Sequence, residues 1–133
     1  MIEAGLVLRI NSDAAVKALI ASPGGFTGVP KGQPLPTWTY RWVSDNTQMA
    51  LCSVTGLTFA RVQIDCYGNQ KAEVVNLGKA ITQVLNGFKG TLTDIDNIIV
   101  DSIFRSDMHD PEEDEAGRTW RRVLEFEVNY VSQ

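Results

Sequence analysis

One stretch of ten residues, 58–67 (TFARVQIDCY), constrains the fold of this chain more than any other feature. Apolar side chains fall at every second position from Ala60 to Cys66, and polar side chains such as Arg61 lie between them. Successive side chains of a β-strand point to opposite faces of its sheet. The alternation therefore predicts a strand with one buried face and one polar face.

A helical repeat follows over residues 70–88. Its apolar side chains return at spacings of three and four, which is typical of a helix with one buried side. Gly68 and Asn69 separate it from the strand, and Gly87 and Gly90 are expected to close it. The apolar positions are Val74, Leu77, Ile81, Val84 and Phe88.

Three further segments have the composition of strands: residues 37–43, 97–106 and 118–131. They are rich in β-branched and aromatic residues, which fit a pleated, half-buried surface. In the last of them, apolar and acidic side chains alternate from Leu124 to Glu127. Together with residues 58–67, these segments predict a sheet of four strands.

The remaining segments are expected to be helices at the N-terminus and connecting loops. Residues 2–10 place apolar side chains four apart and predict a helix, and Ser12 is expected to cap a second, short one. Residues 23–37 hold most of the prolines and predict an extended loop. Residues 44–57 are polar and small, and they predict a connector or an irregular hairpin.

This order of elements predicts an α+β fold, a two-layer sandwich with a mostly antiparallel four-stranded sheet. The N-terminal helix or helices and the one long helix are expected to pack on one face of the sheet. The length of 133 residues suits a single domain spanning residues 1–133. The other face is expected to be polar and to meet water or a partner. Its predicted residues are Arg61, Gln63, Asp65, Glu125 and Glu127.

The charge balance excludes some classes of protein. The net charge of −4 argues against ordinary duplex binding, in which lysine and arginine neutralise phosphates.

Because Glu3 comes early and the apolar run stops at Arg9, the start is unlike an export signal, and a cytosolic chain is expected. Cys52 and Cys66 are then expected to be reduced thiols, with no metal-ligand partners at suitable spacing.

A search of the sequence for catalytic chemistry finds no site. His109 is the single histidine, in an acidic segment over residues 107–117. Clustered carboxylates suit a calcium ion, but the spacing does not match an EF-hand loop, and a solvated loop is predicted instead. Nucleophile-elbow and P-loop motifs are absent, so no catalytic, cofactor-binding or metal residue is predicted. The acids beside the histidine are Asp107, Asp110, Glu112, Glu113, Asp114 and Glu115.

A basic cluster, Arg118, Arg121 and Arg122, follows the acidic segment. It is small for a nucleic-acid patch and follows six carboxylates, and with a screening length of about 8 Å at physiological salt the two clusters are expected largely to cancel each other's field. Cross-strand or interchain ion pairing is the favoured interpretation.

Four aromatic residues have two interpretations. They form either a stacking surface for bases or sugars or part of the core. Aromatic side chains on one face of a strand are more often core, and the core is predicted for at least two of them. They are Trp38, Tyr40, Trp42 and Trp120.

Taken in order, the segments resemble the tail completion proteins of long-tailed bacteriophages, also called tail-to-head joining or tail terminator proteins. Residues 1–6 (MIEAGL) look like the family's N-terminal helix, and residues 34–40 (PLPTWTY) look like its proline-led first strand. Residues 60–68 (ARVQIDCYG) are similar to its central strand, which also runs directly into the long helix. Residues 110–112 (DPE) and 121–126 (RRVLEF) look like its terminal hairpin.

The resemblance implies a small structural subunit with no enzymatic activity and no cofactor. Such subunits form a ring, usually a hexamer, at the head-proximal end of the tail tube. The ring ends tube growth, meets the head connector, and lets DNA pass without specific binding and without a membrane. The expected location is the tail–head junction of the virion, after assembly in the host cytoplasm.

Within that expectation, the polar sheet face and three loops are assigned roles. The polar sheet face is assigned to the lumen or to an interface, since its acidic side chains suit a channel to which DNA does not stick. Residues 23–33, 44–57 and 107–117 are candidate docking loops. Two alternatives stay open: a small cytosolic α+β binding or regulatory module without catalysis, and a hydrolase or metal-dependent enzyme centred on His109.

Overall fold

A computed structural model describes residues 2–21, 24–25, 34–49, 54–93, 98–110 and 120–132. Over these ranges the chain forms three helices and five strands. They are α1 (Ile2–Ser12), α2 (Ala14–Leu19), β1 (Thr37–Met49), β2 (Val54–Gly68), α3 (Lys71–Leu85), β3 (Gly90–Thr93), β4 (Ile98–His109) and β5 (Trp120–Ser132).

The strands form a single antiparallel sheet in the order β1-β2-β5-β4-β3. The α+β prediction is confirmed, with one strand more than expected. The additional strand, β3, pairs with the start of β4 and has only four residues (GTLT), too few to show an alternating pattern. The long helix ends at Leu85, so Phe88 lies beyond it in the turn that leads to β3.

The core lies between the helices and one face of the sheet. Alternate residues of β2 and β5, such as Ile64 and Phe126, are fully buried, as are Leu77 and Ile81 of α3. Each such side chain contributes about 1.5–3 kcal/mol relative to an exposed position. Among the aromatic residues predicted to be core, Trp38 is fully buried, and the other three pack half-buried against the core, namely Tyr40, Trp42 and Trp120.

Asn11 ties the start of β1 to α1. Its Oδ1 accepts hydrogen bonds from Nε1 of Trp38 at 3.1 Å and from the N–H of Gly24 at 3.2 Å, while its Nδ2 donates to the Gly24 carbonyl at 3.0 Å. A side chain at Gly24 would overlap the Trp38 indole, so only glycine fits. The next N–H, of Gly25, donates to the Trp38 carbonyl at 3.1 Å. We define Asn11, Gly24 and Trp38 as the asparagine clasp.

The turn after α3 covers part of the outer edge of β4. The N–H of Gly87 donates to the Ile103 carbonyl at 2.7 Å, and the Oδ1 of Asn86 accepts from the N–H of Arg105 at 2.9 Å. Gly87 adopts a positive φ of 86°, which glycine reaches without strain. Because β3 pairs only with the start of β4, this turn is what occupies the edge farther along.

The structure differs from the sequence predictions at several boundaries. The cap of α2 is Asp13 and not Ser12, because the Asp13 carboxylate accepts from the N–H groups of Ala15 and Val16. Residues 44–49 and 54–57 belong to a long, irregular hairpin, which is one of the two interpretations given for residues 44–57, whereas β4 continues through His109, where a loop was predicted from residue 107. Bulges in β1 and β4 shift the register near these points, so the side-chain alternation breaks although the strands continue.

Candidate interaction surface

The sheet has a second face on which no described helix packs, which we call the helix-free face. All five residues that the alternation assigned to a polar face lie on it. The register sets Arg61 opposite Glu127 and Gln63 opposite Glu125 on neighbouring strands, with Asp65 two positions beyond Gln63. Directly opposed residues of an antiparallel pair share a face, so these side chains form one surface.

One end of the helix-free face is buried. Asp65 is only 6% exposed, and its carboxylate accepts hydrogen bonds from Nη2 of Arg121 and from Nε2 of Gln63, each at 3.0 Å. Burial, followed by the nearby Asp65 charge, raises the pKa of Tyr67. Because the Asp65 carboxylate is buried and already accepts two hydrogen bonds, it offers little charge to a partner. The buried residues at this end are Thr37, Thr39, Asp65, Tyr67 and Val123.

The remainder of the face, which we call the open half, combines exposed apolar side chains with charges. Nη2 of Arg61 lies 3.3 Å from Oε1 of Glu127, and this ion pair is substantially exposed. Phe104, on β4, lies directly opposite Glu127, on β5. Aromatic and arginine side chains are enriched at the sites where proteins meet one another. Those of the open half are Val43, Phe59, Ile99 and Phe104.

The residues predicted to form one acidic docking loop lie on both sides of the sheet. Asp107 lies on the helix-free face opposite Glu125, and its Oδ2 is 3.2 Å from Nδ1 of His109 on the same face. Asp110 instead receives two hydrogen bonds from Arg122, of 2.7 and 3.0 Å. Glu112, Glu113, Asp114 and Glu115 lie outside the described residues.

Asp110 and Arg122 form an ion pair on the helix side. Hydrogen bonding to Arg122 lowers the pKa of Asp110, and the same bond raises the pKa of Arg122. The aliphatic stem of Arg122 crosses α3 at Gly78, where an added Cβ would lie 3.0 Å from its Cδ. A residue without a side chain thus lets the guanidinium reach across the helix.

The basic cluster behaves as the ion-pairing interpretation predicted. Arg121 pairs with Asp65 on the helix-free face, and Arg122 pairs with Asp110 on the helix side. Consecutive strand residues point to opposite faces, so the cluster does not form one basic patch. The third member, Arg118, lies outside the described residues.

The described residues do not assemble a reaction centre. A narrow cavity between α1 and the sheet is lined by apolar and aromatic side chains, including Ile10, Tyr40 and Trp42, without the converging polar groups of a ligand site. No three metal-binding side chains come together within the described ranges.

Burial raises the pKa of the Cys66 thiol, which keeps it protonated and unreactive. No described helix has the length and apolar character to span a bilayer.

Comparison with known proteins places the chain in a family. The sequence profile described as "Tail completion protein gp17" matches residues 4–130, nearly the whole chain. The chain belongs to the tail completion protein gp17 family. Its members are structural proteins of the phage tail, so this tail completion protein is a component of the virion. No protein of curated function matches it in sequence.

The fold of this tail completion protein also occurs in a solved structure. A chain from "Virion of native gene transfer agent (GTA) particle" superposes with a TM-score of 0.72 at 16% sequence identity. The match covers 98% of this chain and 94% of that chain. A structural tail protein contacts other phage structural proteins, and the open half has the exposed apolar and charged side chains that such contacts use.

Proposed function

We propose that this tail completion protein forms a ring, of six copies, at the head-proximal end of the tail tube. The ring ends tube growth, joins the tube to the head connector and leaves a lumen for the DNA. It has no catalytic role. The observation that carries the proposal is the two-sided sheet of a tail protein, covered by helices on one face and open on the other.

The dimensions of the sheet support a lumen of useful size. Five strands spaced about 4.8 Å apart make each sheet roughly 24 Å wide. Six such sheets side by side give a circumference of about 145 Å and a diameter of roughly 46 Å between backbones. A ring lined by the helix-free faces therefore leaves room for a DNA duplex even after side chains occupy part of the opening.

The charges of the helix-free face support free passage of DNA. Its described basic residues are three arginines, of which Arg61 and Arg121 are held in ion pairs. Arg41 is the third, and four carboxylates lie on the same face. Each unpaired cation would add a salt-sensitive phosphate contact. The carboxylates are Asp65, Asp107, Glu125 and Glu127.

The ring is tested by light scattering coupled to size exclusion over a wide range of protein concentration. We expect a discrete species near six subunits, formed by the chain alone or on purified tail-tube protein. A chain that remains monomeric in both conditions contradicts the ring.

The lumen is tested by the double variant Glu125→Lys/Glu127→Lys. We expect assembled particles to eject DNA more slowly, because the new cations and the released Arg61 would bind phosphates. Replacing Asn76 and Gln83 on the exposed side of α3 with lysine serves as the control and should leave ejection unchanged. Normal ejection by the first variant would remove the lumen assignment.

The absence of catalysis is tested at His109. We expect the His109→Ala variant to support tail assembly at the level of the natural chain, because the imidazole is exposed and its hydrogen bond among the described residues is to the exposed Asp107 carboxylate. Loss of a chemical activity in that variant, with assembly intact, would instead favour an enzyme.

A further inference from the structure

Charge is unevenly distributed across the open half of the helix-free face. One row of opposed residues crosses four strands in the order Asp107, Glu125, Gln63, Arg41, from β4 to β1. The row thus begins with two carboxylates at one side of the sheet and ends with a guanidinium at the other. The first and last members lie about 14 Å apart, three strand spacings, which is too far for an ion pair within one chain.

A neighbouring row repeats this arrangement with apolar side chains. It begins with Phe104 on β4, passes through Glu127 and Arg61, and reaches β1 at Ser44, beside the bulge residue Val43. Phe104 is 43% exposed and Val43 is 45% exposed. Each side of the sheet therefore presents one charged and one apolar side chain at corresponding positions of the two rows.

On the acidic side, the Asp107 carboxylate has His109 as a hydrogen-bond partner, but no described lysine or arginine forms an ion pair with Asp107 or Glu125. Asp107 and Glu125 are directly opposed, an arrangement that destabilises a strand pair when both are ionised. No described cation forms an ion pair with the Glu125 carboxylate, and Arg41 on the other side is exposed and likewise without an ion-pair partner there. A cation beside the carboxylates and an anion beside Arg41 would each be stabilising.

The pattern distinguishes two ways in which copies of the chain could join. A symmetric contact between the same sides of two copies would place Arg41 against Arg41, or Asp107 against Asp107. A head-to-tail contact sets the acidic side of one copy beside the basic side of the next, and it also sets Phe104 beside Val43. Like charges in contact disfavour the symmetric arrangement.

We propose that neighbouring copies of this chain join head to tail, with Asp107 and Phe104 of one copy against Arg41 and Val43 of the next. This inference rests on the proposed ring and identifies the joint between its subunits. A head-to-tail contact closes into a ring when its rotation divides a full turn. Because Asn86 and Gly87 occupy the edge of β4 at residues 103 and 105, side chains hold this joint.

Charge reversal tests the pairing. We expect Arg41→Glu alone and Asp107→Lys alone each to raise the protein concentration at half-assembly by about tenfold or more, because each opposes like charges at every joint. The double variant Arg41→Glu/Asp107→Lys should assemble like the natural chain. An equimolar mixture of the two single variants should also assemble, as an alternating ring. Lys79→Glu, an exposed position on α3, is the control for net charge and should have no effect.

Cysteine cross-linking tests the direction of the contact. The double variant Arg41→Cys/Asp107→Cys should give, on mild oxidation, a ladder of cross-linked species that ends at the closed ring. The two positions are too far apart within one chain to form a disulfide. Each single variant should give no such ladder, and the natural chain under the same oxidant is the control for Cys52 and Cys66.

The outcomes separate this inference from the ring itself. If the natural chain assembles but the single reversals assemble equally well, or the double variant does not recover, the joint is wrong and the ring stands. Dimers in place of a ladder would show a symmetric contact and overturn the inference. A natural chain that forms no oligomer, alone or on tail-tube protein, overturns both.

Discussion

Replacing Asn11 with alanine should destabilise the chain by about 2–4 kcal/mol. The substitution removes the acceptor for Nε1 of Trp38 and for the N–H of Gly24, and the donor to the Gly24 carbonyl. Each buried group left without a partner costs about 1–3 kcal/mol. Trp38 is only 1% exposed, so its N–H loses the most, while the Gly24 groups regain part of their loss from water.

This loss is measured by urea unfolding and by thermal melting, below the concentration at which copies assemble. An unfolding entropy of about 2.1 cal/mol/K per residue gives roughly 0.28 kcal/mol/K for 133 residues. The melting temperature should then fall by about 7–14 °C. Asn76→Ala on the exposed side of α3 is the matched control, and it should change stability little because Asn76 has no described hydrogen bond.

A double-mutant cycle isolates the bond between Asn11 and Trp38. In a Trp38→Phe background the indole N–H is absent, so Asn11→Ala should cost about 1–2 kcal/mol less than in the natural chain. If the effects of the two substitutions on the free energy of unfolding are additive, the bond between Asn11 and Trp38 does not stabilise the asparagine clasp, and the prediction for Asn11 is refuted.

Three further outcomes follow from contacts of the same kind. Gly24→Ala should lower the unfolding free energy by about 1–3 kcal/mol, measured in urea, since the new methyl group overlaps the Trp38 indole; unchanged stability would contradict that steric argument. Arg122 lowers the pKa of Asp110 in the folded chain below the value of about 3.9 expected in the unfolded chain. The ion pair therefore stabilises the fold at any pH above about 3.9, and this contribution is lost as the pH falls through the lower, folded-state pKa. Asp110→Asn should therefore cost less than about 1 kcal/mol at pH 7, given that the Asp110 side chain is 41% exposed, and unfolding series at several pH values should show the difference vanishing in acid. Finally, in a variant whose other cysteine is serine, Cys66 should resist alkylation at pH 8 until denaturant is added, and rapid labelling of the native protein would refute its burial.

Local periodicity accounts for the parts of the fold that the sequence predicts. The alternation over residues 58–67 and the helical spacing over 70–88 each depend only on which side of one element is buried. The same alternation correctly grouped Arg61, Gln63 and Glu125 on one face. Within each strand, the side to which a side chain points follows from its position along that strand. The grouping therefore needs only the apolar sides of both strands to face the same core, and not the register between the strands.

Register and tertiary packing account for what the sequence did not predict. Asp65 looks like any other polar strand residue, yet its ion pair with Arg121 joins positions 56 residues apart. Bulges reset the alternation in β1 and β4. They hid how far the strands of the hairpin extend, and they led to the prediction of a loop at Asp107, which in fact lies in β4. The polar faces of the strands were therefore visible in the sequence, but the division into a buried end and an open half was not.

The turn that covers the edge of β4 has a consequence for how copies of the chain are added. With the Ile103 carbonyl and the Arg105 N–H already satisfied, an arriving copy gains no backbone ladder at those positions. In the proposed joint it would be held by exposed charges that salt screens and by the apolar contact between Phe104 and Val43. A wrongly seated copy would thus depart quickly, and the proposed ring would correct its errors while it is still incomplete. The copy that fills the last gap of the proposed ring would make two joints on arrival, and no copy of the closed ring would be held from one side alone, so permanence would belong to the closed ring and not to any single joint.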